Sequence, residues 1–541
     1  MDACQSVEIA GNGCVMLVSY FATLIWLVQF VYAYKIVLFV PNIAQSQVIF
    51  NVRIAEKLAT AGHNVTLVLL KMFEFDKEKE VQTNVNSIKV LPWEMYVLDW
   101  SSAARPERNF KELTFWEARK DISVKLQLFP AACEKMVQNR EFIERLRVER
   151  FDVAFAPMFD LCTAGIIKHL GIEAWIWLNT GRIMDYVAYY IGLPSPPSYL
   201  PPMMSDLPKN MTFIQRVKSF LGWAITIPIY KKSIVAPENA LFRKYIDADF
   251  PDLIEVARRC PLIMVNSDEL YDQARPVFHK VIYIGGTGMN QDDRKTLQGD
   301  LKKIADKATN IVVMTMGSHA QLSDMPSEWK TAFMNAFGKF NDHDFLIRYE
   351  SDDLERVKPG NVHFYKWLPQ NDLLQHSKTR LLITHGGYNS VQEAIHAGIP
   401  LITMPLFGDQ FSNGHIVESH GLGRILRKNE INEQRIVETL SAVLKDPQYK
   451  KTAERMQRMI QRKPERPEDR LVAWTEFLAE FKTLDGLIPY AIHLGFIQYH
   501  CLDVIAFLAL CVTVTAGVIF WLIKLLIRAV KIPFSRKQKT H

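Results

Sequence analysis

The sequence predicts an α/β chain of two doubly wound, Rossmann-like domains facing a cleft, followed by one C-terminal transmembrane helix. Short buried apolar runs alternate with segments of helical periodicity in both halves. A glycine cluster, Gly285-Gly286-Thr287-Gly288, separates the halves. Residues 504–523 carry no charge over about 20 positions, the length of a membrane-crossing helix. With 541 residues, 49% hydrophobic and 23% charged, the chain can bury two sizeable cores and is neither disordered nor fibrous. The expected organisation is a signal peptide at 1–33, domains at 34–285 and 286–490, a transmembrane helix at 503–524 and a basic tail at 525–541.

In chain order, the apolar run 15–32 closing in Val31-Tyr32-Ala33 has the form of a signal-peptide core with a small residue at the cleavage position. Asp2 and Glu8 precede it where Lys or Arg is usual, so an uncleaved anchor is the alternative. A strand at 35–40, a polar loop at 41–47, a helix at 48–61 stopped by Gly62 and a strand at 64–70 form a βαβ unit. Its loop lacks G-x-G-x-x-G, which speaks against a dinucleotide site there. Residues 151–156 form another buried strand, and the Pro-rich stretch 194–202 a long loop. The second alternation starts with a strand at 311–316 ending in Gly317-Ser318, followed by strands near Phe345, His363, Leu381 and Leu401.

The most informative stretch is 367–410. Leu381-Leu382-Ile383 is a buried strand that ends in His385-Gly386-Gly387, and a helix at 389–396 follows. The helix N-terminus therefore points at whatever occupies the turn. Its unpaired N–H groups and positive dipole end suit a pyrophosphate, and paired glycines admit it close to the backbone. Around the turn stand Trp367-Leu368-Pro369-Gln370, Asn389-Ser390, Glu393, Pro400, Pro405 and Asp409-Gln410.

This constellation resembles the donor-sugar signature of the animal UDP-glucuronosyltransferase and UDP-glycosyltransferase family, inverting enzymes of the GT-B type. The resemblance extends to Pro196-Pro197-Ser198-Tyr199-Leu200-Pro201, to residues 211–217 and to the membrane entry Phe496-Ile497-Gln498-Tyr499-His500. It implies an acceptor site mostly on the first domain and a UDP-sugar site on the second. His385 and the amides from Gly386 and Gly387 onward, with Asn389 and Ser390, would hold the diphosphate, and Ser318 would touch it from the opposite strand end. Trp367 and Gln370 would form the uracil platform, Glu393 would take the ribose hydroxyls, and Asp409 and Gln410 the hydroxyls of the sugar. The co-substrate would be UDP-glucuronate or UDP-glucose, with a small lipophilic acceptor drawn in by aromatic residues such as Tyr186, Phe213 and Trp223. Glucuronate would want a cation, for which Arg182, Arg216 and Arg348 are candidates. Self-association or association with relatives is left open.

The acceptor half departs from the family where the catalytic His is expected, because Gln47 stands there. A neutral amide cannot abstract a proton, and loss of a positioned base costs about 10²–10⁴-fold. The partner acid is displaced as well: Pro157 occupies its position and the nearest carboxylate is Asp160. Either the acceptor is already nucleophilic enough, with Asp160 orienting it or serving as a weak base, or the protein is a UDP-sugar-binding or regulatory homologue. His169, His319 and His363 are the other histidines a fold could bring near.

No cofactor or metal is expected. Asp342-His343-Asp344 has the D-x-D form of metal-dependent transferases but lies in a polar turn and reads as solvated acids. Six cations follow the apolar segment without an acid, which places that tail in the cytosol and the domains in the lumen of the endoplasmic reticulum, whose dilysine retrieval signal the tail resembles. Setting those six aside leaves 58 basic residues against 58 acidic ones, so a nucleic-acid function is excluded for want of a basic patch. A single span likewise cannot build a transport pathway. Asn64 and Asn210 head glycosylation sequons. Of the seven cysteines, Cys133, Cys162 and Cys260 are candidates for a lumenal bridge whose pairing stays open.

Overall fold

The computed structural model describes residues 33–536 apart from 75–80, 82, 100–108, 113–114, 290–296 and 318–319. The expected signal segment, Ser318 and His319 therefore lie outside the described residues. Two parallel sheets organise the chain up to Leu487. The first comprises β1 (Lys35–Pro41), β2 (Asn64–Glu74), β3 (Lys89–Asp99), β4 (Val153–Pro157), β5 (Trp175–Asn179), β6 (Leu262–Val265) and β7 (Val281–Tyr283), in the order β3-β2-β1-β4-β5-β6-β7. The second comprises β8 (Asn310–Thr315), β9 (His343–Arg348), β10 (Val362–Tyr365), β11 (Thr379–Thr384), β12 (Leu401–Thr403) and β13 (Gly423–Ile425), in the order β10-β9-β8-β11-β12-β13.

The strands are apolar on both sides because helices cover both faces. In β1, Val37 and Phe39 enter one core cluster while Ile36, Leu38 and Val40 enter another. In β11, Leu381 and Ile383 face one cluster and Leu382 the other. Strand order reverses between β1 and β4 in the first sheet and between β8 and β11 in the second. At such switch points the neighbouring connections leave in opposite directions and open a crevice at the carboxyl edge.

Nine helices bear on the argument: α1 (Gln45–Thr60), α2 (Phe115–Gln138), α3 (Cys162–His169), α4 (Phe213–Tyr230), α5 (Ala236–Tyr245), α6 (Tyr388–Ala397), α7 (Gln410–Ser419), α8 (Pro467–Phe481) and α9 (Leu502–Arg536). Helix α1 begins three residues earlier than the sequence suggests. Pro41 ends β1, the chain is extended at Ala44 (φ −145°), and Gln45-Ser46-Gln47 forms a polar first turn, so Gln47 sits on a helix rather than in a loop. The Pro-rich stretch is packed onto α4: Ser219 donates to the Pro197 carbonyl at 2.6 Å. A capping box of Thr212 and Gln215 starts α4. Helix α8 crosses back, its Leu471, Leu478 and Ala479 joining the core of the first sheet.

Residues 488–541 form a separate compact unit. Its helix α9 contains a candidate membrane span of 28 residues, Leu502–Ala529, with mean hydropathy 2.5. The helix runs beyond the expected end at 524 and takes in much of the expected tail, since Lys and Arg favour helix and carry long apolar stems.

Cys133 of α2 and Cys162 at the start of α3 form a disulfide, 29 residues apart in sequence. Cys260 is free and buried, its thiol donating to the Leu262 carbonyl at 3.0 Å and pushed by burial up to about 12. In the chain-entropy account, closing a loop of this size stabilises by about 3–4 kcal/mol. Cys133→Ser is therefore expected to lower the first thermal unfolding transition of the oxidised protein, and reductant to lower the wild-type transition to match; an unchanged melt would show that the bridge does not constrain this region.

Candidate active site

The turn after β11 brings together what the sequence groups there. A Cβ on Gly317 would lie 2.6 Å from His385 Cε1, and one on Gly387 would lie 2.6 Å from His385 Nε2. The imidazole is thus wedged between two glycine backbones at the β8–β11 switch point, with Nδ1 3.2 Å from Thr384 Oγ1. Gly386 has φ +85° and passes the Gln410 carbonyl so closely that a Cβ would approach it to 3.3 Å. Gly387 caps α6 without a side-chain partner, which leaves first-turn amides for a ligand.

Helix α6 presents polar side chains in two directions. Asn389 donates to the Ser46 carbonyl of α1 at 3.1 Å and accepts from Asn266 at 3.0 Å. This places the donor turn one residue from Gln47. Gln392 is buried and bonds Asn266 and Tyr271. On the other side, Gln370 donates to Glu393 at 2.8 Å and to Ser390 at 3.2 Å, so three expected donor residues form one cluster. Arg53 of α1 pairs with the same Glu393 at 3.2 Å. Nothing local in the sequence marks Arg53, because the contact spans 340 positions.

Trp367 is 52% exposed and offers a ring face, with the Arg348 guanidinium 5.3 Å from its centroid. Arg348 also donates to the Gly317 carbonyl at 2.8 Å and pairs with Glu350 at 3.2 Å. It thereby links the expected base platform to the His385 turn.

Asp409 precedes α7 and accepts from Asn413 at 2.8 Å; the same Asn413 amide donates to the Gly386 carbonyl at 3.0 Å. Burial raises the Asp409 carboxyl above its usual range, against the hydrogen bond from Asn413 and the charge of Arg182. Asn413, which the sequence did not single out, thus ties Asp409 to the Gly386 turn from its place one helical turn beyond Asp409. The Gln410 side-chain oxygen Oε1 accepts from the Leu406 and Phe407 amides at 2.8 and 3.0 Å, which leaves the side-chain NH₂ for a ligand. Arg182 is buried against Asp272 at 2.6 Å and also donates to Ser412.

On the first sheet the loops after β1 and β4 leave side by side, since those strands pair in parallel. Gln47 has its side-chain oxygen buried without a partner. Asp160 accepts from the Cys162 and Thr163 amides at the start of α3, and burial pushes its carboxyl up to about 7. The aromatic residues linked to the acceptor divide: Tyr186 is buried in the core with its hydroxyl on the Met158 carbonyl, whereas Phe213 is 68% exposed on α4. His169 is held by Arg147. His363 pairs with Asp344 at 2.9 Å, and Asp342 with His343 at 2.8 Å, at the amino ends of β9 and β10. In a parallel sheet that edge is opposite the His385 turn.

The chain is similar to known proteins over most of its length. Residues 35–539 match the family model described as UDP-glucoronosyl and UDP-glucosyl transferase. A putative UDP-glucuronosyltransferase of Caenorhabditis elegans, ugt-47, is 30% identical over 483 residues, covering 87% of this chain and 89% of its own. Human UDP-glucuronosyltransferase 1A5 is 29% identical, covering 90% and 91%. Among solved structures, the glycotransferase of kitacinnamycin superposes with TM-score 0.57 at 14% identity over 84% of this chain and 100% of its own. The calicheamicin glycosyltransferase CalG4 does so with 0.55 at 16% identity over 83% and 98%; at such identities the likeness is one of fold. A family match running through both sheets and into the apolar helix means that this chain belongs to the UDP-glucuronosyl and UDP-glucosyl transferase family and is a GT-B glycosyltransferase.

Proposed function

We propose that the protein transfers a hexose from a UDP-sugar to a small lipophilic acceptor with inversion, and that glucose is its donor sugar in preference to glucuronate. The observation that carries the transfer is the His385-Gly386-Gly387 turn facing the first turn of α1 through the Asn389–Ser46 contact. The diphosphate lies on the α6 amides beside His385, uracil on Trp367, and ribose against Gln370 and Glu393. Asp409 and Asn413 take hydroxyls of the sugar. The preference for glucose rests on charge: Arg182 and Arg348 are each already paired with a carboxylate, Asp272 and Glu350, and Arg216 donates to the Met211 carbonyl on the α4 side. Neither Arg182 nor Arg348 is therefore free to pair with a second carboxylate, which the Asp409 carboxylate would repel.

The acceptor oxygen attacks the anomeric carbon as its bond to UDP breaks, and the electron pair leaves on the diphosphate. Negative charge grows there, where preorganised N–H groups stabilise it more in the transition state than in the ground state. The reading calls for no metal ion, and the D-x-D acids lie at the far edge of the sheet. Gln47 can align an acceptor through its unpartnered oxygen but cannot take its proton, so Asp160 is the proton acceptor. We place the domains in the lumen of the endoplasmic reticulum, anchored by α9 as a single-pass span behind a cleaved signal peptide. The disulfide, which suits an oxidising compartment, and the exposed sequon residues Asn64 and Asn210 support this.

The second reading, a binding homologue without turnover, is favoured by Gln47 alone. UDP release from membranes carrying the full chain separates the two. UDP-glucose is expected to support release with phenol, amine or carboxylic-acid acceptors, at least tenfold faster than UDP-glucuronate; the reverse order would overturn the charge argument. Gln47→His is expected to raise transfer to simple alcohols by about 10²-fold, the low end of what a positioned base supplies. Release seen only in Gln47→His would establish the binding homologue instead.

A further inference from the structure

Asp160 does not stand alone. Glu238, on α5, is 0% exposed, and its Oε2 accepts the Leu161 amide N–H at 3.2 Å. Its other oxygen, Oε1, is buried without a partner, and so is Asp160 Oδ1. Two carboxyl groups that flank the Leu161 amide and each leave one buried oxygen unsatisfied are accommodated when a single proton serves both, since two negative charges in one poorly hydrated site cannot both persist. The chain is shaped to make the pair. A π-helical turn, Lys231–Val235, joins α4 to α5. Eight residues of plain α-helix overshoot two turns by about 80°; the wider π turn takes up that rotation and lets Tyr230 and Glu238 face the same side. The residues after β4 close the other side, Tyr186 donating to the Met158 carbonyl and Tyr230 to the Phe159 carbonyl at 3.3 Å. Tyr186 and Tyr230 stack at 3.8 Å.

We infer that Glu238 shares a proton with Asp160 and is the positioning residue that turns Asp160 into the general base for hydroxyl acceptors, in place of the histidine absent at Gln47. The groups acting on the pair are each other, the amides of Leu161, Cys162 and Thr163, and the hydroxyls of Tyr186, Tyr190 and Tyr230; among the described residues no cation forms an ion pair with either acid. Burial pushes the Asp160 proton affinity up, while the Cys162 and Thr163 amides hold it down, and the balance falls at about 7. A carboxylate in its ordinary range is too weak a base at neutral pH; one poised there is matched to the task. In the step, the acceptor O–H bond breaks with its proton passing to the Asp160 carboxylate, the O–C bond to the anomeric carbon forms, and the C–O bond to UDP breaks with its electrons going to the diphosphate.

This rests on the transferase reading with Asp160 as base, so the test has two readouts on the full chain in membranes. The first is labelling by dicyclohexylcarbodiimide, which reacts with protonated carboxyls in apolar surroundings, followed at the Asp160 peptide by mass spectrometry from about pH 5.5 to 8.5. Wild-type labelling should fall through neutral pH, and in Glu238→Gln, which keeps the Leu161 contact but replaces the shared acid proton by a weaker amide donor, the fall should move to higher pH by about one pH unit. The second is UDP release with a phenol acceptor, whose acid limb should follow the labelling in both proteins and which Asp160→Asn should cut by about 10²-fold without weakening UDP binding. Asp160 that labels only below about pH 5, or a profile that Glu238→Gln leaves in place, would overturn the pair. Transfer that ignores Asp160→Asn would overturn its catalytic use while the transferase stands. Absence of any transfer despite the predicted labelling would refute the role as base but uphold the shared proton. If Glu238→Gln fails to fold, wild-type labelling at the Glu238 peptide decides: Glu238 should stay labelled above the pH at which Asp160 loses its label, and loss of both labels together would overturn the pair.

Discussion

Two parallel sheets can form a transfer site only if their carboxyl edges are held face to face, and the amide of Asn389 meets that constraint. It bonds Ser46 at the start of α1 and Asn266 after β6, so one side chain at the start of the donor helix gathers two loops of the first sheet. Gln392, one turn on, repeats the attachment through Asn266 and Tyr271. Such buried amide networks hold one geometry because an unmet donor or acceptor away from water is expensive. The consequence is that the diphosphate turn and the acceptor-side residue Gln47 belong to one rigid neighbourhood.

Electrostatics then divide the cleft. Three arginines near the donor side are each committed: Arg53 to Glu393, Arg348 to Glu350 and Gly317, Arg182 to Asp272. In the proposed reading a diphosphate would therefore meet dipoles and amides at this turn rather than a free arginine. Glu393 serves two purposes, since the carboxylate expected to meet the ribose also receives Arg53 from the opposite sheet. Around Asp160 and Glu238, among the described residues, no cation forms an ion pair with either acid, and a tyrosine stack lies beside them. Burial is what drives the Asp160 carboxyl toward neutral pH, and no charge offsets it there.

Much of the donor half is legible in the sequence because its signals are local. A strand of Leu381-Leu382-Ile383, a Gly pair and a helical period fall within about 15 residues, and each constrains the next. The start of α1 at Gln45 is not legible, since a polar first turn has the composition of a loop until Pro41 and the extended Ala44 fix where the chain turns. The Cys133–Cys162 pairing, the Arg53–Glu393 bridge and the return of α8 to the first sheet join distant segments. No spacing rule announces them. Glu238 is hidden for a further reason: an acid in Ala236-Pro237-Glu238-Asn239 looks like an ordinary solvated helix residue, and only the π turn before it and its complete burial reveal otherwise.

The central claim is that the diphosphate is held by the His385 turn at the second switch point, without help from the D-x-D acids at the opposite edge. Calorimetric titration of UDP into the full-length protein in detergent, with a chelator present, tests it most directly when wild type, His385→Ala and Asp342→Ala are compared. The account predicts that UDP binds in chelator, that His385→Ala weakens binding at least tenfold, about 1.4 kcal/mol, and that Asp342→Ala leaves it unchanged. Binding that vanishes in chelator, or that depends on Asp342 and not on His385, would contradict it.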